Sequence, residues 1–174
     1  QLDNVGASIR PKRQGAIPIW LAGSAEAAVR RAATLGDAWL PSFGPSFDEL
    51  RGLNAIYADA RTKAKLPPPA VRRLCREVHV GTLGDVRGPL LAKYEAYASW
   101  GSDGVGTDMS NFAKAFDAFA KDRFIVGDPV FVKDEIQRYR DQLGFDHMVM
   151  RCQWPGSDAS LAIKSIERLA KMLL

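Results

Sequence analysis

Parallel βα units, the α/β class, are what this 174-residue sequence predicts, and three observations carry the expectation. An apolar run from Ile17 to Ala22 meets Gly23 and Ser24, an alanine-rich segment follows, and a second apolar run ends near Pro41. The same order recurs along the chain, with strands near residues 17, 37, 73 and 147, each followed by an amphipathic stretch. Helix ends are marked by suitable residues: Ser46 with Glu49, Asp128 with Pro129, and stops at Gly36 and Gly144. Strands that alternate with helices across short links form a parallel sheet.

The first strand is expected over about 17–22 and its helix over about 25–35, with Gly36 past the end as a cap. The turn between them is the chemically informative part. Gly23 allows close backbone approach, Ser24 offers a hydroxyl where an N-cap belongs, and the N–H groups of Ala25, Glu26 and Ala27 are left free. A helix N-terminus of this kind attracts anions and suits a phosphate, although Glu26 in the first turn opposes a dianion. A plain N-cap is the alternative.

A second strand, 37–41, runs into the turn-rich PSFGPS loop, and Ser46 and Glu49 then form a capping box for a helix whose period runs through Leu50, Leu53 and Tyr57. Pro67, Pro68 and Pro69 close it. The third strand, 73–81, alternates Leu74, Arg76, Val78 and Val80 with Cys75, Glu77 and His79. Both faces of a covered parallel sheet should be apolar, so Glu77 and His79 mark either a polar pair that fixes the sheet or one wall of a ligand pocket.

A helix is expected over 89–100, then a Gly-rich segment from Gly101 that reads as a mobile surface or lid, then a short amphipathic helix over 112–119. Asp128 caps the next helix, with Pro129 at its first position. The fourth strand, 147–152, puts Met148, Met150 and Cys152 on one side and His147, Val149 and Arg151 on the other. Arg151 falls at the strand's C-terminal end, where α/β proteins place ligands, as either a pocket or an ion-pair residue. A last amphipathic helix covers 159–173, capped by Ser157 or Asp158.

Composition narrows the classes. The formal charge of +4 comes from scattered Lys and Arg, densest at Arg10, Lys12 and Arg13 in the polar leading arm, 1–15, ahead of one domain over 16–174. No aromatics interleave with those cations, which sets nucleic-acid binding aside. No apolar run reaches membrane-spanning length, and the arm has no h-region of a signal peptide. Cys75 and Cys152 lie in separate apolar runs without metal-ligand spacing, so no metal site is expected and a cytoplasmic setting is the default.

Four βα units amount to half of an eight-stranded barrel, which takes about 250 residues when complete. Half a barrel leaves two strand edges open, so the expectation is the C-terminal part of a longer chain, closed by a missing N-terminal half or a second chain, with self-association into a homo-oligomer. An open four-stranded sheet is the alternative.

The ordered segments PIWLAGSAEAAVRRAATLGDAWLP, DRFIVGDP and LGFDHMVMRCQWPG, followed by a terminal amphipathic helix, resemble the C-terminal half of the bacterial luciferase-like family of flavin-dependent monooxygenases. The resemblance implies the C-terminal half of a (β/α)8 TIM barrel with FMN, or in some relatives F420, at the C-terminal mouth of its strands. It implies that Ala22, Gly23, Ser24 and Ala25 hold the cofactor phosphate, and that FMN arrives reduced from a reductase to act with oxygen on a small organic substrate. The alternatives are F420-dependent hydride transfer and a non-catalytic half-barrel. Glu77, His79, Arg151 and Trp154 are the substrate or pocket candidates. Trp20, Trp39 and Trp154 flank the site or pack the core. Catalytic residues stay unknown, because the family's lie mostly in the other half.

Overall fold

The computed structural model describes residues 17–99 and 112–173. The elements in order are β1 (Trp20–Ala22), α1 (Glu26–Leu35), β2 (Ala38–Leu40), α2 (Phe47–Lys63), β3 (Arg73–Val80), α3 (Leu83–Ser99), α4 (Phe112–Lys121), β4 (Ile125–Gly127), α5 (Pro129–Leu143), β5 (His147–Arg151) and α6 (Ala159–Leu173). The leading arm and the Gly-rich segment before Phe112 lie outside the described residues.

Every ladder is parallel. β1 pairs with β2 in the register Leu21 to Trp39, and β3 is the middle of a second sheet of order β4-β3-β5. β5 lies along the first five residues of β3, from Arg73 opposite His147 to Glu77 opposite Arg151, and β4 lies along the last three, from Val78 opposite Ile125. β2 runs close beside β3 without a ladder between them.

The alternation read in β3 places its two faces in two cores. Leu74, Val78 and Val80 join Trp39, Leu50, Val132 and Leu169 under α1, α2, α5 and α6. On the other side, Leu90 and Tyr94 of α3, Phe112 and Phe116 of α4, Phe124 just before β4 and Trp154 after β5 form a mostly aromatic cluster. Backbone groups at the C-terminal end of β3 are tied to α6: the Val80 N–H donates to Ser165 Oγ at 2.9 Å, and Arg168 donates to the Val80 carbonyl at 2.9 Å.

Several helix ends follow from their caps. Ser46 and Glu49 make the full capping box, Asp128 accepts from the Phe131 N–H, and Gly144 stops α5 in the left-handed conformation at φ +68°. At α6 it is Asp158 that accepts from the Ser160 N–H, at 2.8 Å, while Ser157 bonds to the Trp154 backbone.

Three expectations need correction. The described residues make five strands and not four, because Ile125–Gly127 is only three residues long and offers no alternation to read. α3 starts at Leu83, six residues before Pro89, because Thr82 and Asp85 exchange hydrogen bonds at 2.7 and 3.3 Å and start the helix there, with the proline absorbed inside it. β1 is confined to Trp20–Ala22, and its neighbours Ile17 and Ile19 are largely exposed.

Candidate functional site

At the C-terminal ends of β1 and β2 a cleft of about 450 Å³ opens between the two βα turns and one side of α2. Ser24 and Ala25 line it from the first turn, Ser42, Gly44 and Pro45 from the second, and Glu49, Leu53 and Ile56 from the helix. The sequence puts Ser24 at the N-cap of α1, but the cap is Ala25, and no side chain satisfies it. Ser24 is drawn away by Ser42, whose hydroxyl lies 2.6 Å from its own and ties the two turns together. The first-turn N–H groups of α1 therefore stay without a side-chain partner, as an anion site requires. Glu26, which opposes a dianion there, is turned along the helix to Arg30 at 2.8 Å.

Ala22 and Gly23 stand behind this opening. The Gly23 carbonyl accepts the indole N–H of Trp39 at 2.9 Å, and Trp39 in turn stacks on Tyr57. Gly23 has φ +154°, and a Cβ there would lie 2.5 Å from the Ala28 Cβ. Close packing of the turn on its own helix is what demands glycine here.

The second turn is clamped by cations from distant parts of the chain. Arg76, wholly buried, donates to the Pro45 carbonyl at 3.0 Å and to Tyr139 Oη at 3.0 Å. Arg123 donates to the Gly44 carbonyl at 2.8 Å and reaches Glu49 at 3.3 Å. Burial pushes the Glu49 carboxyl up, but the Ser46 N–H and hydroxyl with Arg123 and Arg76 outweigh it and hold it below the ordinary range. The cleft thus keeps one ionised carboxylate, answered by a neighbouring guanidinium.

Glu77 and His79 share a face but have separate partners. The Glu77 carboxylate is 0 % exposed and accepts from Lys93, from Tyr94 Oη at 3.2 Å, from Arg151 at 3.3 Å and from the Trp154 indole at 2.6 Å. Burial, then the Glu77 charge, pushes the Tyr94 hydroxyl far up, so it stays a donor. Burial lowers the Lys93 pKa more than Glu77 raises it, and both Arg151, at 3.8 Å, and Lys93, at 5.4 Å, also face the ring of Phe43. Phe43 belongs to the loop that edges the cleft, so this network and the cleft adjoin.

His79 is buried, with Nε2 3.7 Å from Asp85 and Nδ1 without a hydrogen-bond partner. Burial lowers its pKa more than Asp85 raises it, so the ring is neutral at pH 7. Among the described residues no group of three or more His, Cys, Asp and Glu could hold a metal ion, and no helix is long and apolar enough to cross a membrane.

Sequence reasoning missed Arg76, Lys93, Arg123, Ser42 and Phe43. Arg76 carried a signal, because a cation in the apolar row of a buried strand has to find acceptors. Lys93 sits in a helix and Ser42, Phe43 and Arg123 in loops and turns, where such residues are ordinary.

No curated protein matches the chain. Monooxygenase RslO1 from Streptomyces bottropensis superposes with TM-score 0.65 at 15% identity, over 90% of this chain and 47% of its own. An F420-dependent secondary alcohol dehydrogenase in complex with an F420-acetone adduct gives 0.67 at 14% identity, over 99% and 53%. The FMN-bound oxygenating constituent of 3,6-diketocamphane monooxygenase from Pseudomonas putida gives 0.58 at 16% identity, over 88% and 46%. At such identity the likeness establishes the fold, and the chain spans about half the length of each of these proteins. The parallel half-barrel agrees with a match of residues 1–147 to the family model of the luciferase-like monooxygenases, and it is to that family that the chain belongs.

Proposed function

We propose that this chain supplies the cofactor-phosphate half of a luciferase-like oxidoreductase that binds reduced FMN and acts on a small organic substrate with oxygen. The observation that carries the reading is the α1 N-terminus, uncapped by any side chain, opening into the cleft beside Ser24 and Ser42. The free N–H groups of the first turn and the Ser24 hydroxyl would take the phosphate, with Ala25 at the cap and Ala22 and Gly23 fixing the turn behind it. Bound flavin supplies the redox chemistry, and the chain's own part is to seat it, hold the roof of the cleft through Arg76 and Arg123, and keep water from the buried Glu77 network. Arg151 would hold Phe43 at the edge of the cleft, and Trp154 would tie the segment after β5 to Glu77. Glu77, saturated by its donors, positions them, and His79 braces the same strand.

F420 is the second reading, favoured by the likeness to an F420-dependent secondary alcohol dehydrogenase, as FMN is by the likeness to an FMN-bound monooxygenase. With F420 the reaction would be hydride transfer without oxygen. Titration with each cofactor, followed by absorbance and fluorescence, decides. Saturable uptake of one, weakened in Ser24→Ala, supports the reading, and a protein that takes up neither is a non-catalytic half-barrel.

The open edges of β1 and β5, with Trp20 41 % and Val149 37 % exposed, support a partner: the other half of the barrel or a second copy of this chain.

A further inference from the structure

On the opposite side of α2 from the cleft, a groove of about 390 Å³ runs between that helix and the triproline turn, closed by Gln142 and Leu143 of α5. Leu66, Pro68 and Pro69 give it an apolar wall, Arg51, Arg61 and Arg72 line it, and none of its lining residues is acidic. Arg51 is spoken for by Asp48 at 2.9 Å. Arg61 and Arg72 have no carboxylate within ion-pair distance among the described residues. Arg61 donates to the Pro67 carbonyl at 2.7 Å and to the Ala33 carbonyl at 3.1 Å, and Arg72 donates to Asn54 Oδ1 and lies 5.5 Å over the Phe145 ring. These contacts are to neutral groups, and the Asp146 carboxylate acts on Arg72 only from beyond ion-pair distance.

Tyr57 supplies the second observation. The residue is 4 % exposed, its hydroxyl is buried without a hydrogen-bond partner, and it lines the same groove, with the Arg61 guanidinium 5.9 Å from its ring. A buried hydroxyl left unpaired forfeits its hydrogen bond to water with nothing in return. Burial also lowers the Arg72 pKa, more than Asp146 and Tyr57 raise it. Two guanidiniums in want of an anion and a hydroxyl in want of an acceptor ask for the same thing.

We propose that this groove binds a small apolar monoanion, typified by an aromatic carboxylate, with its oxygens on Arg61, Arg72 and the Tyr57 hydroxyl and its body against Leu66, Pro68 and Pro69. Planar guanidinium forks match a carboxylate, and the proline wall offers a flat surface to a ring. The site shares no residue with the cleft at Ser24 and Ala25 and does not depend on what that cleft binds.

The test is a titration of the 15N-labelled chain with benzoate, benzamide and inorganic phosphate. Benzoate should give saturable shifts at α2 and residues 66–69, about tenfold tighter than benzamide, as a charge-assisted pair implies. Tyr57→Phe and Arg61→Met should each weaken benzoate by about threefold or more, against the size of one hydrogen bond. Without benzoate, Tyr57→Phe should be at least as stable as the parent, because it deletes an unpaired buried group. Equal affinity for benzamide, or undiminished benzoate binding in both variants, would overturn the proposal. Phosphate binding as tight as benzoate would overturn the assigned chemical class.

Discussion

Trp154 donates its indole N–H to the wholly buried carboxylate of Glu77 at 2.6 Å, across seventy-seven residues of sequence. This bond joins the segment after β5 to the centre of β3, and Lys93 and Arg151 converge on the same carboxylate. Glu77→Gln keeps the shape and removes the charge, leaving the buried Lys93 and the half-buried Arg151 without their carboxylate. The expected loss is about 3–5 kcal/mol, the usual cost of breaking a buried pair. Trp154→Phe should cost about 1.5–3 kcal/mol, as for a hydrogen bond to a charged group. Urea denaturation measures both, and a Glu77→Gln protein as stable as the parent would contradict the arrangement.

His79 predicts a pH dependence whose sign is fixed. Its folded-state pKa is lowered, chiefly by burial, from the ordinary 6.5. As pH falls through that ordinary value the unfolded chain takes the proton first, so stability falls with pH until the lowered folded value is passed. Asp85, at 3.7 Å, and Arg168 act on the same ring with opposite signs. Urea midpoints from pH 7 to pH 5 should slope downward in the parent, and the slope should flatten in His79→Gln. An unchanged slope in the variant would assign it to other groups.

Gly23 and Ala28 form a packing pair that a double-mutant cycle can isolate. Gly23→Ala drives a methyl into the Ala28 Cβ at 2.5 Å and should cost about 1–3 kcal/mol, as overpacking does. Ala28→Gly alone should cost about 1 kcal/mol, the helix penalty of glycine. The double variant should recover much of the Gly23→Ala loss and of any lost cofactor binding. Strict additivity would show that the two do not touch.

Open edges on β1 and β5 predict self-association. Light scattering of the 174-residue chain should give a dimer or larger species, and a monodisperse monomer would mean the exposed Trp20 and Val149 need no cover.

Much of this architecture was legible in the sequence because its signals are local. The Ser46 and Glu49 box, the Asp128 and Pro129 start and the alternation in β3 each need only a few neighbouring residues, and each is present. β4 was hidden by its length, and the start of α3 by a proline that the helix absorbs. In the site, the turn at Ser24 could be located, but the Ser24 to Ser42 bond that frees the helix end is a contact between two loops. Likewise Glu77 stood out as a misplaced charge, whereas Lys93, on a helix sixteen residues further on, gave no sign of being its partner.

Whether the bare N-terminus of α1 seats a cofactor phosphate is read from a comparison of FMN with riboflavin. The two share the ring system and differ in that phosphate, so fluorescence titration of each isolates its contribution. FMN should bind at least about tenfold more tightly, the yield of one charge-assisted anion contact, and Ser24→Glu should abolish the difference. Equal affinity for FMN and riboflavin would contradict it.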